Sequence, residues 1–134
     1  MPIYDRHKEM AKRIDIPGLR KRIWASCASL RPLLFEMLRA GTFLRGSVYE
    51  LSTRCGKPSC VCQRGQRHRR WVFSESIGGR TRLRVVPESE IERWQRWSGS
   101  YRDFRSRRAE LVKITRRILE DLDRIERAQR RSPE

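Results

Sequence analysis

Three thiols and one imidazole fall within fourteen residues, in the order Cys55-x4-Cys60-x-Cys62-x5-His68. Zn²⁺ takes four nitrogen or sulfur ligands in a closed tetrahedral site, and three cysteines with one histidine is an accepted combination. Gly56 and Pro58 supply a turn that brings Cys55 back toward Cys60, and Gly65 turns the chain again before His68. Alternate side chains of an extended stretch share a face, which points Cys60 and Cys62 the same way. The expected cofactor is a structural Zn²⁺, whose apparent binding energy in isolated finger peptides is about 10–16 kcal/mol. Two other readings stand beside it, a redox or transient disulfide pair and unligated thiols. The C-x-C spacing is less diagnostic than paired C-x-x-C, and His68 lies among arginines whose field disfavours a cation. Catalytic thiol chemistry is the weakest reading. Arg54 and Lys57 would lower a cysteine pKa, but no second histidine lies nearby to serve as a base.

Around this cluster stand Arg54, Lys57, Arg64, Arg67, Arg69, Arg70, Arg80, Arg82 and Arg84, with Trp71 and Phe73 among them. Residues 39–86 carry eleven basic groups and only two acids, Glu50 and Glu75. Of the 32 basic residues in the chain 27 are arginine, whose planar guanidinium binds phosphate oxygens bidentately. Trp71 and Phe73 would add stacking planes for unpaired bases, at about 1–3 kcal/mol per base. An arginine-rich genome accounts for the ratio of arginine to lysine, but it leaves the missing acids unexplained. These eleven residues therefore form the candidate nucleic-acid surface, for DNA or RNA.

Metal-dependent nuclease or polymerase chemistry needs converging carboxylates, and the basic region has too few. There is no phosphate-cradling glycine loop, nucleophile elbow or Ser/His/Asp set. His7 is isolated near the N-terminus and expected in solvent. The expectation is a protein without enzymatic activity.

The elements that must carry these residues follow from periodicity. Leu19, Ile23, Cys27, Leu30, Leu34 and Leu38 recur at steps of three and four, one face of a helix with Pro17 in its first turn and Gly41 closing it. Pro32 interrupts the pattern and predicts a kink, or a second helix capped by Ser29. Cys27 reads as a small core residue.

Gly46–Arg54, Trp71–Ile77 and Arg80–Val86 alternate as strands, the last two joined by Gly78-Gly79 in a two-residue hairpin. That turn sets Ile77 opposite Arg80, Glu75 opposite Arg82, Phe73 opposite Arg84 and Trp71 opposite Val86. Two arrangements fit. Either Val72, Ser74, Ser76, Thr81, Leu83 and Val85 pack under a helix and the arginine-aromatic side is outward, or Trp71 and Phe73 are core with arginine stems lying over them.

Pro87 with Glu88, Glu90 and Glu92 opens a long helix. Trp94, Tyr101, Arg108, Thr115 and Leu122 occupy one heptad position, and Trp97, Phe104, Leu111, Ile118 and Ile125 another. Such a stripe predicts a coiled-coil-like seam with the N-terminal helix or a second chain, with a kink at Ser98-Gly99-Ser100.

The expected fold class is α+β. It comprises an N-terminal helical segment (1–44), a three-stranded antiparallel meander with a zinc knuckle (45–86), a long C-terminal helix (87–128) and a disordered tail (129–134).

The chain has 134 residues, 36% of them charged, and a formal charge of +16, which repels itself without polyanionic partners. No apolar run of about 18 residues exists, so no membrane helix is expected. The first thirty residues lack a signal-peptide apolar region, which points to a reducing cytoplasm and against a disulfide framework. Nucleic acid is the expected partner. A homodimer or protein partner held through the C-terminal helix is the alternative, and would make the chain an adaptor.

The run Arg54-Cys55-Gly56-Lys57-Pro58-Ser59-Cys60-Val61-Cys62, followed by Gly65, His68, a glycine hairpin, Val86-Pro87 and Tyr101-Arg102-Asp103-Phe104-Arg105, resembles a family of small uncharacterised prokaryotic proteins. Their signature is Arg-Cys-Gly-Lys-Pro-x-Cys-x-Cys with a later Gly-x-x-His. The likeness covers roughly residues 46–110 and implies a small α+β module, found near transposase and other mobile-element genes, with no assigned activity. After His68 this chain has Arg69-Arg70-Trp71 where the family carries Gly-Pro-aromatic.

Overall fold

The computed structural model describes residues 14–133; His7 lies outside them. Five elements follow one another: α1 (Ile16–Leu38), β1 (Ser47–Thr53), β2 (His68–Ile77), β3 (Arg80–Val85) and α2 (Ile91–Gln129). Short 3₁₀ turns occupy Val61–Arg64 and Glu88–Glu90. The chain divides into two compact units. One holds α1 and the part of α2 from Ser106 onward; the other holds Ala40–Arg105.

α1 begins where Asp15 accepts a 3.0 Å bond from the Gly18 N–H, with Pro17 in the first turn. Pro32 sits inside a single helix, not between two. Ser29 caps nothing, its hydroxyl donating to the Ala25 carbonyl at 3.2 Å. Proline orphans only the Ala28 carbonyl four residues back, and Ala28 is exposed, so water can satisfy that oxygen. The helix closes on Arg39 in right-handed conformation, and Gly41 is not the cap. Leu19 and Ser26 are buried and Ile23, Cys27, Leu30, Leu33 and Met37 half-buried, while Leu34 and Leu38 are exposed. Two successive steps of four after Leu30 carry the expected stripe off the inward face.

In this same unit, Ile114 and Asp121 are the buried residues of α2, with Leu111, Ile118 and Ile125 half-buried beside them. Arg108, Thr115 and Leu122 face solvent instead. Positions three and four residues apart adjoin equally on a helix, and pairing chose between them. Asp121 meets Arg22 of α1 at 2.7 Å, and the Thr115 hydroxyl bonds back to the Leu111 carbonyl at 2.8 Å.

In the other unit the three strands form an open antiparallel sheet in the order β1-β2-β3. The hairpin register is the one expected: Ile77 pairs with Arg80, Glu75 with Arg82 and Phe73 with Arg84, and the Val86 N–H reaches the Trp71 carbonyl at 2.9 Å. Gly78 and Gly79 have φ of 58° and 77°, the paired positive values a primed turn requires.

Of the two face assignments the second holds for Phe73. Phe73 is 3% exposed and meets Trp94 of α2 edge-on, ring centroids 5.7 Å apart, and Val86 is 4% exposed. Leu83 and Val85, expected under a helix, are exposed, though Val72 beside them is buried. The larger ring gains more from leaving water than a valine does.

Residues 43–46 dock on the first turns of α2. Phe43 packs against Tyr101 and Phe104, and the Leu44 N–H bonds the Trp97 carbonyl at 3.1 Å. A side chain on Gly46 would overlap the Phe73 ring. Ser98, expected at a kink, is buried inside the unbroken α2 and donates to the Gly46 carbonyl. Among the described residues no helix is long and apolar enough to cross a membrane.

Candidate metal centre

β1 and β2 pair to their last rung, Thr53 with His68, so the chain leaves and re-enters the sheet at one place. Cys55 follows β1 by two residues and His68 opens β2. The intervening segment is folded by the Cys60 N–H on the Lys57 carbonyl (3.2 Å) and the Gln63 N–H on the Cys60 carbonyl (3.1 Å). Cys60 is the extended residue before the 3₁₀ turn and Cys62 lies within that turn. Convergence of these two thiols thus comes from the turn, not from the extended C-x-C geometry expected. Gln63 adds a tie the sequence did not reveal, its side-chain amide donating to the Cys55 carbonyl at 2.8 Å.

The four ligand atoms of Cys55, Cys60, Cys62 and His68 all lie within 4.8 Å of one another. The Cys55 and Cys62 sulfurs are 3.3 Å apart, and the Cys60 sulfur is 3.2 Å from Nε2 of His68. A tetrahedral cation held at about 2.3 Å by sulfur and about 2.0 Å by imidazole spaces its ligands by roughly 3.5–3.8 Å, a value inside the observed range. A disulfide needs sulfurs at about 2.05 Å, and all three cysteines are free. The donor set therefore fits a metal ion. Cys62 is fully buried and His68 is exposed, so the site has a protein side and a solvent side.

Hydrogen bonding, first from the Lys57 backbone N–H and then from the neighbouring thiols, holds the Cys55 thiol below its ordinary pKa. Burial pushes the Cys62 thiol up. The Cys62 sulfur also accepts the Cys55 N–H at 3.3 Å, a backbone contact suited to a thiolate ligand.

A model of one protein family, described as a domain of unknown function (DUF6788), matches residues 7–96, which include the whole cluster. The chain belongs to this family. No match was found among curated proteins or among solved structures.

In this DUF6788 chain all nine basic residues singled out around the knuckle are exposed. Arg69 lies 3.9 Å from Glu50 and Arg84 3.3 Å from Glu75. Arg54, Lys57, Arg64, Arg67, Arg70, Arg80 and Arg82 have no carboxylate within 4.0 Å among the described residues. By register Arg69, Arg80, Arg82 and Arg84 share the sheet face of Phe73, whereas Arg70 is on the face of Val72. Of the two aromatics expected to stack on bases, Trp71 is half-buried and Phe73 is enclosed, so Phe73 offers no plane to a base. Tyr49, paired with Val72, is the exposed aromatic of the sheet.

Proposed function

We propose that the chain is a non-enzymatic nucleic-acid-binding protein whose knuckle is pinned by a structural Zn²⁺. Three thiols and an imidazole favour zinc over harder cations, and four protein ligands close a tetrahedral shell with no open position for a substrate. The observation that carries the reading is the set of seven exposed basic side chains without carboxylate partners among the described residues, Arg54, Lys57, Arg64 and Arg67 on the segment that holds the cluster and Arg70, Arg80 and Arg82 on the strands that follow it. Unpaired guanidinium groups keep their donors for phosphate oxygens, and each phosphate neutralised releases condensed counterions. The setting in a mobile-element or other DNA-processing complex is supported by the family resemblance alone.

Metal analysis with absorbance at 260 and 280 nm on the protein as purified reads both components at once. One zinc per chain and co-purifying nucleic acid are expected. Replacing Arg67, Arg70 and Arg82 together by alanine should then weaken binding in a mobility shift by a similar factor on unrelated sequences, while Arg127, Arg130 and Arg131 replaced together serve as the charge-matched control. Equal losses in the two variants would overturn a localised grip.

A further inference from the structure

The unit built from α1 and the second half of α2 leaves large apolar side chains of both helices in solvent. On α1, Trp24 is 74% exposed, Phe35 61% and Leu38 84%, and these three with Leu34 form one stripe at helical spacing. On α2, Val112, Leu119 and Leu122 form a second exposed stripe. Among the described residues of the unit, only Leu19 and Ile114 are buried apolar side chains. Among the described residues, two helices with so thin a shared core have no second layer on this side, and such elements need one.

The two stripes lie on the same side of the helix pair. Arg22 reaches Asp121, and Ser29 and Ile114 line one cavity, so rising numbers on α1 meet falling numbers on α2 and the helices are antiparallel. At about 100° per residue each stripe is displaced from its own inward face by roughly 110° in the sense of increasing residue number. In an antiparallel pair those displacements turn toward a common side. The pairing also sets Trp24 at the height of Leu119.

We infer that this face is covered by a second copy of the chain, two helix pairs joining about a two-fold axis into a four-helix bundle. An isologous contact requires a self-complementary surface. An axis parallel to the helices lays the aromatic stripe of α1 on the smaller aliphatic stripe of α2 from the other copy, with Trp24 over Leu119. The seven side chains offer roughly 800 Å² per copy, the half-share of a standard stable interface.

Sedimentation of nuclease-treated, metal-loaded protein over a concentration series in 0.3 M salt tests this without reference to nucleic acid, since salt of that strength screens the repulsion between two cationic chains. Twice the chain mass is expected for the wild type at micromolar concentration. Trp24→Glu combined with Leu119→Glu should weaken dimerisation by at least about 100-fold with helix content and bound metal unchanged, because both positions are exposed in the single chain. A wild type that stays monomeric up to about 100 μM, whether the face is then open, folded upon by this chain or kept for another protein, would overturn the inference. So would a double variant that dimerises as tightly as the wild type.

Discussion

The sulfur of Cys60, at the start of a 3₁₀ turn, lies 3.2 Å from Nε2 of His68, the first residue of β2. This contact ties the knuckle to the sheet. Without His68 the remaining thiols sit on the segment between the strands, and β2 would have no direct link to a metal held there. His68→Ala should lower metal affinity by at least about tenfold and lower the melting temperature by several degrees, read by competition with a chromophoric chelator and by calorimetry. An unchanged melt with full metal content would remove His68 from the ligand set.

In the metal-free protein the thiols should react with iodoacetamide in a fixed order. A lowered pKa gives more thiolate at a given pH, so Cys55 should lead near pH 7.5; Cys62, buried and raised, should trail by at least about tenfold. Metal should protect all three. Mass spectrometry of timed digests reads the order, and equal rates would contradict the geometry.

Phe73→Ala should cost about 3–5 kcal/mol, the usual loss for a buried ring. Val85→Ser, at an exposed position, should cost less than about 1 kcal/mol. Chemical denaturation of the two variants separates the buried Phe73 from the exposed Val85, and a reversed order would restore the face assignment in which Val85 is core.

Asp121 is 1% exposed, and its partner Arg22 is half in water. One carboxylate oxygen takes the 2.7 Å bond and the other has no hydrogen-bond partner. Arg22→Ala should therefore destabilise by about 1–3 kcal/mol, while Arg22→Met with Asp121→Leu should recover most of the loss. Thermal melts of the two variants check this; a double variant no more stable than Arg22→Ala would mean that the ion pair does more than neutralise a buried charge.

What the sequence made legible was whatever rests on local rules. Gly78-Gly79 set the hairpin and its register, and the Cys/His spacing marked the cluster. Hidden parts depend on contacts distant in sequence. Nothing near Ser98 says that its hydroxyl will meet the Gly46 carbonyl, and nothing near Asp121 names Arg22 as the reason this acid is buried while Leu122, the expected heptad residue beside it, is exposed. The sheet faces were ambiguous because both carry apolar residues, and packing of Phe73 on Trp94 decided between them. Gln63 could have been suspected as an amide beside Cys62, but its bond to the Cys55 carbonyl exists only once the turn is formed.

The salt dependence of binding to a labelled oligonucleotide, followed by fluorescence anisotropy on the metal-loaded protein, bears most directly on a basic grip held by the knuckle. If the seven unpaired basic groups contact phosphates, affinity should fall by about 10³-fold or more between 50 and 200 mM salt, and removal of each charge should reduce the logarithmic slope by about 1. Affinity that is flat across that range, or a slope untouched by removing Arg67, Arg70 and Arg82, would contradict it.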